Sequence, residues 1–119
     1  MNNGLNAMRG KRYLFDTNAL VALLQGHTGL LVLTQEADWL GVSVINILEF
    51  LGFNGLSDTD RTLFLELVSR IEVVDLSYTD QTLIKSIINL RQGRAIKLPD
   101  AIILASTASQ NATLVTRDA

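Results

Sequence analysis

The chain has 119 residues, 48% of them hydrophobic, a single proline and a formal net charge of −2; this supports one packed core but not two, and excludes a disordered chain. There is no cysteine, which excludes disulfides and a thiolate metal site. No apolar run reaches the roughly 18 residues that a membrane span needs, and the slight acidity excludes the overall basic footprint of many nucleic-acid binders.

The opening segment "MNNGLNAMRGK" lacks the apolar stretch of a secretory signal. Residues 1–8 read as a flexible extension and 9–119 as a single domain, and a cytoplasmic protein with no membrane contact is the simple reading. Residues 12–15 read as a buried strand that turns abruptly polar at Asp16, Thr17 and Asn18, where a helix over about 17–25 begins and runs to Gly26. A second helix follows over about 29–38. Its Leu30, Leu31 and Leu33 suit the core better than an interface. "WLGVSVI" (39–45) is a β-branched strand leading into the helix "NILEFLGF".

Residues 57–70 open on cap residues and then place Leu63, Leu67 and Ile71 at helical spacing. "IEVVDL" (71–76) is strand-like. Residues 77–93 begin with an S-x-x-D cap and end at glycine. The segment 98–112 has Pro99 where a first-turn proline belongs, and "TLVT" (113–116) is a last strand. Four apolar strands, each separated from the next by helices, predict an α/β fold with a parallel sheet covered on both faces. Sites in such sheets form at the carboxyl ends of the strands.

Four of the twelve acids fall in places of interest. Asp16 follows the first strand, Glu49 lies in the helix after the second, Asp100 is in the first turn of the helix before the last strand, and Asp118 comes just after that strand. Each has an ordinary explanation: Asp16 as a helix cap, Asp100 as a favourable charge at a helix start, Asp118 as a turn residue, Glu49 as an exposed edge. Glu49 resists its explanation most, because it shares a narrow polar stripe with Asn46 and Gly52 on an otherwise apolar helix. If the four converge they repel one another and need a cation. Oxygen ligands, with one poorly placed histidine (His27, in a loop), select Mg2+ or Mn2+ over zinc. Such a site suits phosphodiester hydrolysis by a metal-activated water. Lys85, Arg91, Arg94 and Lys97 lie in a stretch without acids, and Arg9, Lys11 and Arg12 form a second basic group. Either is an ordinary solvated face or a strip for phosphates.

The segments "FDTNALVALL", "SVINILEFL", "LPDAIILASTA" and "LVTRD", in this order, resemble the PIN-domain ribonucleases, and most of all the VapC-type toxins of toxin–antitoxin systems. The likeness runs from about residue 12 to 118. It implies a PIN-like α/β/α sandwich with a short, mainly parallel sheet of four or five strands. It also implies an Mg2+- or Mn2+-dependent endoribonuclease with Asp16, Glu49, Asp100 and Asp118 as catalytic metal ligands, Thr17 and Asn18 shaping the first loop, and Thr116 supporting the site. An RNA substrate, a small VapB-like antitoxin and a homodimer follow from the same likeness. Arg94 and Lys97 are placed for RNA phosphates, although nothing in the family pattern fixes them. Members of the family usually continue beyond the fourth acid, so a domain lacking that C-terminal segment is expected. Two other readings stay open: a PIN nuclease of RNA processing without an antitoxin, and a truncated module that binds RNA or protein without cutting. An unrelated nucleotide binder is disfavoured, because no G-x-G-x-x-G or P-loop follows a strand.

Overall fold

The computed structural model of the chain describes residues 10–117; the extension expected over 1–8, Arg9 and Asp118 lie outside them. In chain order the described elements are β1 (Arg12–Phe15), α1 (Thr17–Leu24), α2 (Thr28–Glu36), β2 (Trp39–Ser43), α3 (Val44–Leu51), α4 (Asp58–Val68), β3 (Glu72–Val74), α5 (Gln81–Gly93), α6 (Leu98–Ser109) and β4 (Thr113–Val115). All strand pairs are parallel, in the order β3-β2-β1-β4.

The alternation of side chains along each strand builds three layers. Phe15 and Val42 face α1, α2, α3 and α4, with Tyr13, Leu40 and Val115 at the margin of that core. Leu14 and Val74, one residue out of phase, face the other way and meet Ile103 of α6, with Trp39 and Leu114 beside them. Leu83 and Ile87 of α5 close that layer against Ala101, Ile102 and Ala105. A Cβ at Gly41 would collide with the Trp39 ring, so glycine lets the indole lie across the sheet, where the Arg12 guanidinium sits 4.7 Å from its ring centroid.

Several boundaries differ from the sequence expectation for identifiable reasons. The strand expected to reach residue 45 stops at Ser43, whose buried hydroxyl accepts the Ile45 N–H at 3.2 Å and starts α3 two residues early. The anchor of α4 is Phe64 rather than the Leu63–Leu67 row: Phe64 is fully buried and stacks on Phe50 with ring centroids 3.9 Å apart, while Leu63 is exposed. In α2, Leu30 is buried and Leu31 exposed, so only part of that apolar row enters the core. His27 is not a bystander in a loop; it caps α2, its Nδ1 accepting the Leu30 N–H at 3.1 Å.

Among the described residues no single helix is long and apolar enough to cross a membrane. The topology does position a site. A helix that follows a parallel strand starts at the carboxyl edge of the sheet, and so does a helix that leads back into the next strand. The starts of α1, α3 and α6 therefore share one edge, beside β1 and β4, where the strand order reverses.

Candidate active site

Asp16 is the residue at which β1 becomes α1. Its backbone N–H extends the ladder to β4 by donating to the Val115 carbonyl at 3.0 Å. Its Oδ1 accepts the Ala19 N–H at 2.9 Å as the helix cap. The backbone is thus held by the ladder and the carboxylate by the cap, and the second carboxylate oxygen has no hydrogen-bond partner among the described residues.

Glu49 projects from α3 and is exposed, as is Asp100 in the first turn of α6. Glu49 Oε1 is held by two donors, the Thr17 hydroxyl at 3.3 Å and the Asn46 amide Nδ2 at 3.3 Å. The same Nδ2 donates to Thr17 Oγ1 at 3.0 Å. A carboxylate oxygen only accepts, so Asn46 must present its NH2 to this pair, and its carbonyl oxygen is left buried without a partner among the described residues. A buried acceptor left unpaired costs about 1–3 kcal/mol.

Asp16, Thr17, Asn18, Asn46, Glu49 and Asp100 line one cleft of about 350 Å3, floored by Ile103. A second cleft of about 560 Å3 adjoins it, shares Asp16 and Asp100 and adds Lys97 and Thr116. Asp16, Asp100 and Ile103 line both spaces. Sequence reasoning places Asp16, Glu49, Asp100, Thr17, Asn18, Thr116 and Lys97 here, and all seven line one or both clefts. Arg94 is exposed and lines neither. Asp118 lies outside the described residues. Asn46 enters the sequence reading only as part of the polar stripe; its spacing of three from Glu49 is the available signal.

The expected convergence is looser than a ligand cage. Among the described residues no three acids or histidines stand close enough together to hold an ion directly. The donor chemistry nevertheless fits a hard cation, since the cleft offers carboxylate oxygens and no sulfur or imidazole. Mg2+ keeps several waters and is commonly bound through one or two carboxylates, so it does not require three acids in direct contact.

The basic groups divide in the same way. Lys11 pairs with Glu36 at 3.2 Å, and Arg12 Nε donates to the Gln110 carbonyl at 2.7 Å. Arg91 donates to the Ile96 carbonyl at 2.9 Å, tying α5 to the loop that leads to Asp100. Lys97 and Arg94 are exposed and form no ion pair among the described residues. Beside the acidic cleft runs an apolar groove of about 380 Å3 between α1, α3 and α4, in which Val21, Leu24, Phe53 and Leu63 are joined by Glu49 and Asp60.

The PIN-domain family model matches residues 13–119, nearly the whole chain. The chain belongs to the PIN-domain family. As a PIN domain it resembles solved structures over most of its length. A chain of a toxin–antitoxin complex from Klebsiella pneumoniae is 29% identical, with TM-score 0.70, covering 89% of this chain and 86% of that one. VapBC2 from Rickettsia felis, bound to a DNA fragment from its promoter, is 24% identical, with TM-score 0.67 and coverage of 90% and 88%. DNA-bound VapBC from Salmonella typhimurium is 18% identical, with TM-score 0.65 and coverage of 89% and 86%. The last two likenesses carry the fold alone. The comparison with curated proteins gives no match.

Proposed function

We propose that this PIN domain is a divalent-metal-dependent endoribonuclease and the toxin of a VapBC-like toxin–antitoxin pair, acting in the cytoplasm. The observation that carries the reading is the single cleft lined by Asp16, Glu49 and Asp100, which come from three separate elements. PIN domains are generally nucleases, which agrees with that arrangement. Asp16, Glu49 and Asp100 would hold Mg2+ or Mn2+, in part through the waters the ion keeps, with Asp118 as the fourth acid of the family pattern. A cation bound there supplies an activated water and stabilises the negative charge that builds up at phosphorus.

The chain's own residues do the rest. Asp16 is kept rigid by its cap and its ladder bond. Lys97, which lines the adjoining cleft with Asp16 and Asp100, takes an RNA phosphate oxygen next to the one being cut. Thr116 offers a hydroxyl on the same side. Arg94, exposed in the loop before Lys97, reaches a more distant phosphate.

An antitoxin, rather than solitary RNA processing, is supported by the apolar groove that opens beside Thr17, Asn18 and Glu49. Phe53, 69% exposed, lines this groove, and exposed apolar area of this kind calls for a partner. The likeness to a chain of the toxin–antitoxin complex from Klebsiella pneumoniae, at 29% identity, supports the same reading. A homodimer is part of the proposal; Leu31 and Val32 on α2 supply exposed apolar surface for it.

The test is cleavage of a panel of structured RNAs by the purified chain with Mg2+, Mn2+ or EDTA, beside Asp16→Asn. Metal-dependent cutting that the variant loses is the expected result. A folded protein that cuts none of them even with Mn2+ would leave a binding module in place of the enzyme.

A further inference from the structure

Asn46 is the least economical residue in the site. It is 1% exposed, it occupies the first turn of α3, and one of its two polar atoms has no partner among the described residues. A leucine of similar size would fill the space without an orphaned oxygen, so the amide calls for an explanation beyond packing. Its donor side gives one. Nδ2 reaches both Thr17 Oγ1 at 3.0 Å and Glu49 Oε1 at 3.3 Å, and the Thr17 hydroxyl in turn donates to the same Oε1 at 3.3 Å. The three groups form a closed triangle with one consistent direction of donation. It joins the start of α1 to the middle of α3 across the cleft that all three residues line.

Glu49 is exposed, and an exposed glutamate left alone samples many rotamers. With Oε1 occupied by two donors, its other oxygen is presented in one orientation. We infer that Asn46 is a positioning residue: a buried amide that sets Thr17 and the Glu49 carboxylate as one unit for cation binding, at the cost of its own unpaired oxygen. The inference rests on the metal-dependent reading above and adds a residue that acts through Glu49. Hydrogen-bond partners of this kind orient a metal's carboxylate ligands, and their loss typically costs about 10–100-fold in metal affinity.

The alternative is that Asn46 merely ties α1 to α3, and the two roles predict opposite patterns. Under positioning, Asn46→Leu removes a buried unpaired oxygen, and its former partners can turn to water. Stability then holds or rises, while Mn2+ affinity falls. Under a purely structural role, stability falls and affinity holds.

The experiment is titration of Mn2+ into the full chain, followed by calorimetry and by the Mn2+ electron paramagnetic resonance signal, with thermal unfolding of each variant. The expected result is Mn2+ affinity weakened about tenfold or more in Asn46→Leu with an unchanged or raised Tm. A similar loss is expected in Thr17→Val, with no further loss in the double variant, because both act on one carboxylate. Asn46→Ala carries the affinity comparison alone if the leucine variant does not fold, because truncating a buried side chain lowers Tm under either role. Wild-type binding that Asn46→Leu and Asn46→Ala leave unchanged would overturn this inference alone. A wild-type chain that takes up no Mn2+ would overturn the metal reading and the inference together.

Discussion

Replacing Asp16 by asparagine separates the two jobs the structure gives that residue. The cap is one hydrogen bond, Oδ1 accepting the Ala19 N–H at 2.9 Å, and asparagine retains an Oδ1 in the same place; the two residues cap helices about equally well. What the substitution removes is a negative charge at the N-terminus of α1, worth about 0.3–1 kcal/mol of favourable interaction with the helix. Removing one of three carboxylates around the cleft offsets part of that loss. Asp16→Asn should therefore change stability by less than about 0.5 kcal/mol, within the range of a surface substitution. Asp16→Ala loses the cap as well, about 1 kcal/mol more, a fall in Tm of about 4 °C for a domain of this size. Cleavage should fall together in both. Loss of a metal ligand should exceed the about 10–100-fold that loss of a ligand's hydrogen-bond partner costs. Circular-dichroism melts beside initial rates on a cleaved RNA give both quantities from one preparation. If Asp16→Asn cuts at the wild-type rate while Asp16→Ala only melts earlier, Asp16 is a cap and the metal assignment fails.

Phe64→Ala should cost about 3–5 kcal/mol, because Phe64 is fully buried and stacked on Phe50; urea unfolding measures it, and a loss below about 1 kcal/mol would contradict the packing. Lys97→Ala should weaken RNA binding across sequences and lower the slope of log affinity against log salt by about 1; an unchanged slope would remove Lys97 from the phosphate contacts. Mn2+ at about 100 times its dissociation constant should raise the unfolding free energy by about 2.7 kcal/mol, reversed by EDTA. An unshifted melting curve would contradict binding to the folded state.

Most of the frame was legible because its signals are local. Strands over residues 12–15 and 113–115 are short apolar runs with polar exits. Four strands interleaved with helices leave a parallel sheet as the natural arrangement. Asp16 and Asp100 could be placed at one edge because each lies within a turn of a helix start that topology sends there. What sequence could not supply was the side of a helix that wins a contest. In α4, Leu63 and Phe64 are adjacent, and only the tertiary presence of Phe50 decides that the ring turns inward. Asn46 stayed hidden for a related reason. An asparagine one turn from a glutamate reads as surface, and its burial follows from how closely α3 packs on α1 and α6. The role of His27 depended on α2 starting at Thr28, one residue before the expected boundary.

The placement of the hydrogen-bond triangle has a physical logic. Three carboxylates line one cleft, and the fold holds them in different ways. Asp16 is the cap of α1 and Asp100 lies in the first turn of α6, so both sit where the positive end of a helix stabilises an anion. That effect fades beyond the first turn. Glu49 is in the second turn of α3, outside its reach, and among the described residues it has no ion pair. It is also the acid that receives two side-chain donors, from Thr17 and Asn46. The buried amide therefore stands where the fold supplies no dipole, and the unpaired oxygen it leaves behind is the local cost of holding a carboxylate on the middle of a helix rather than at its start.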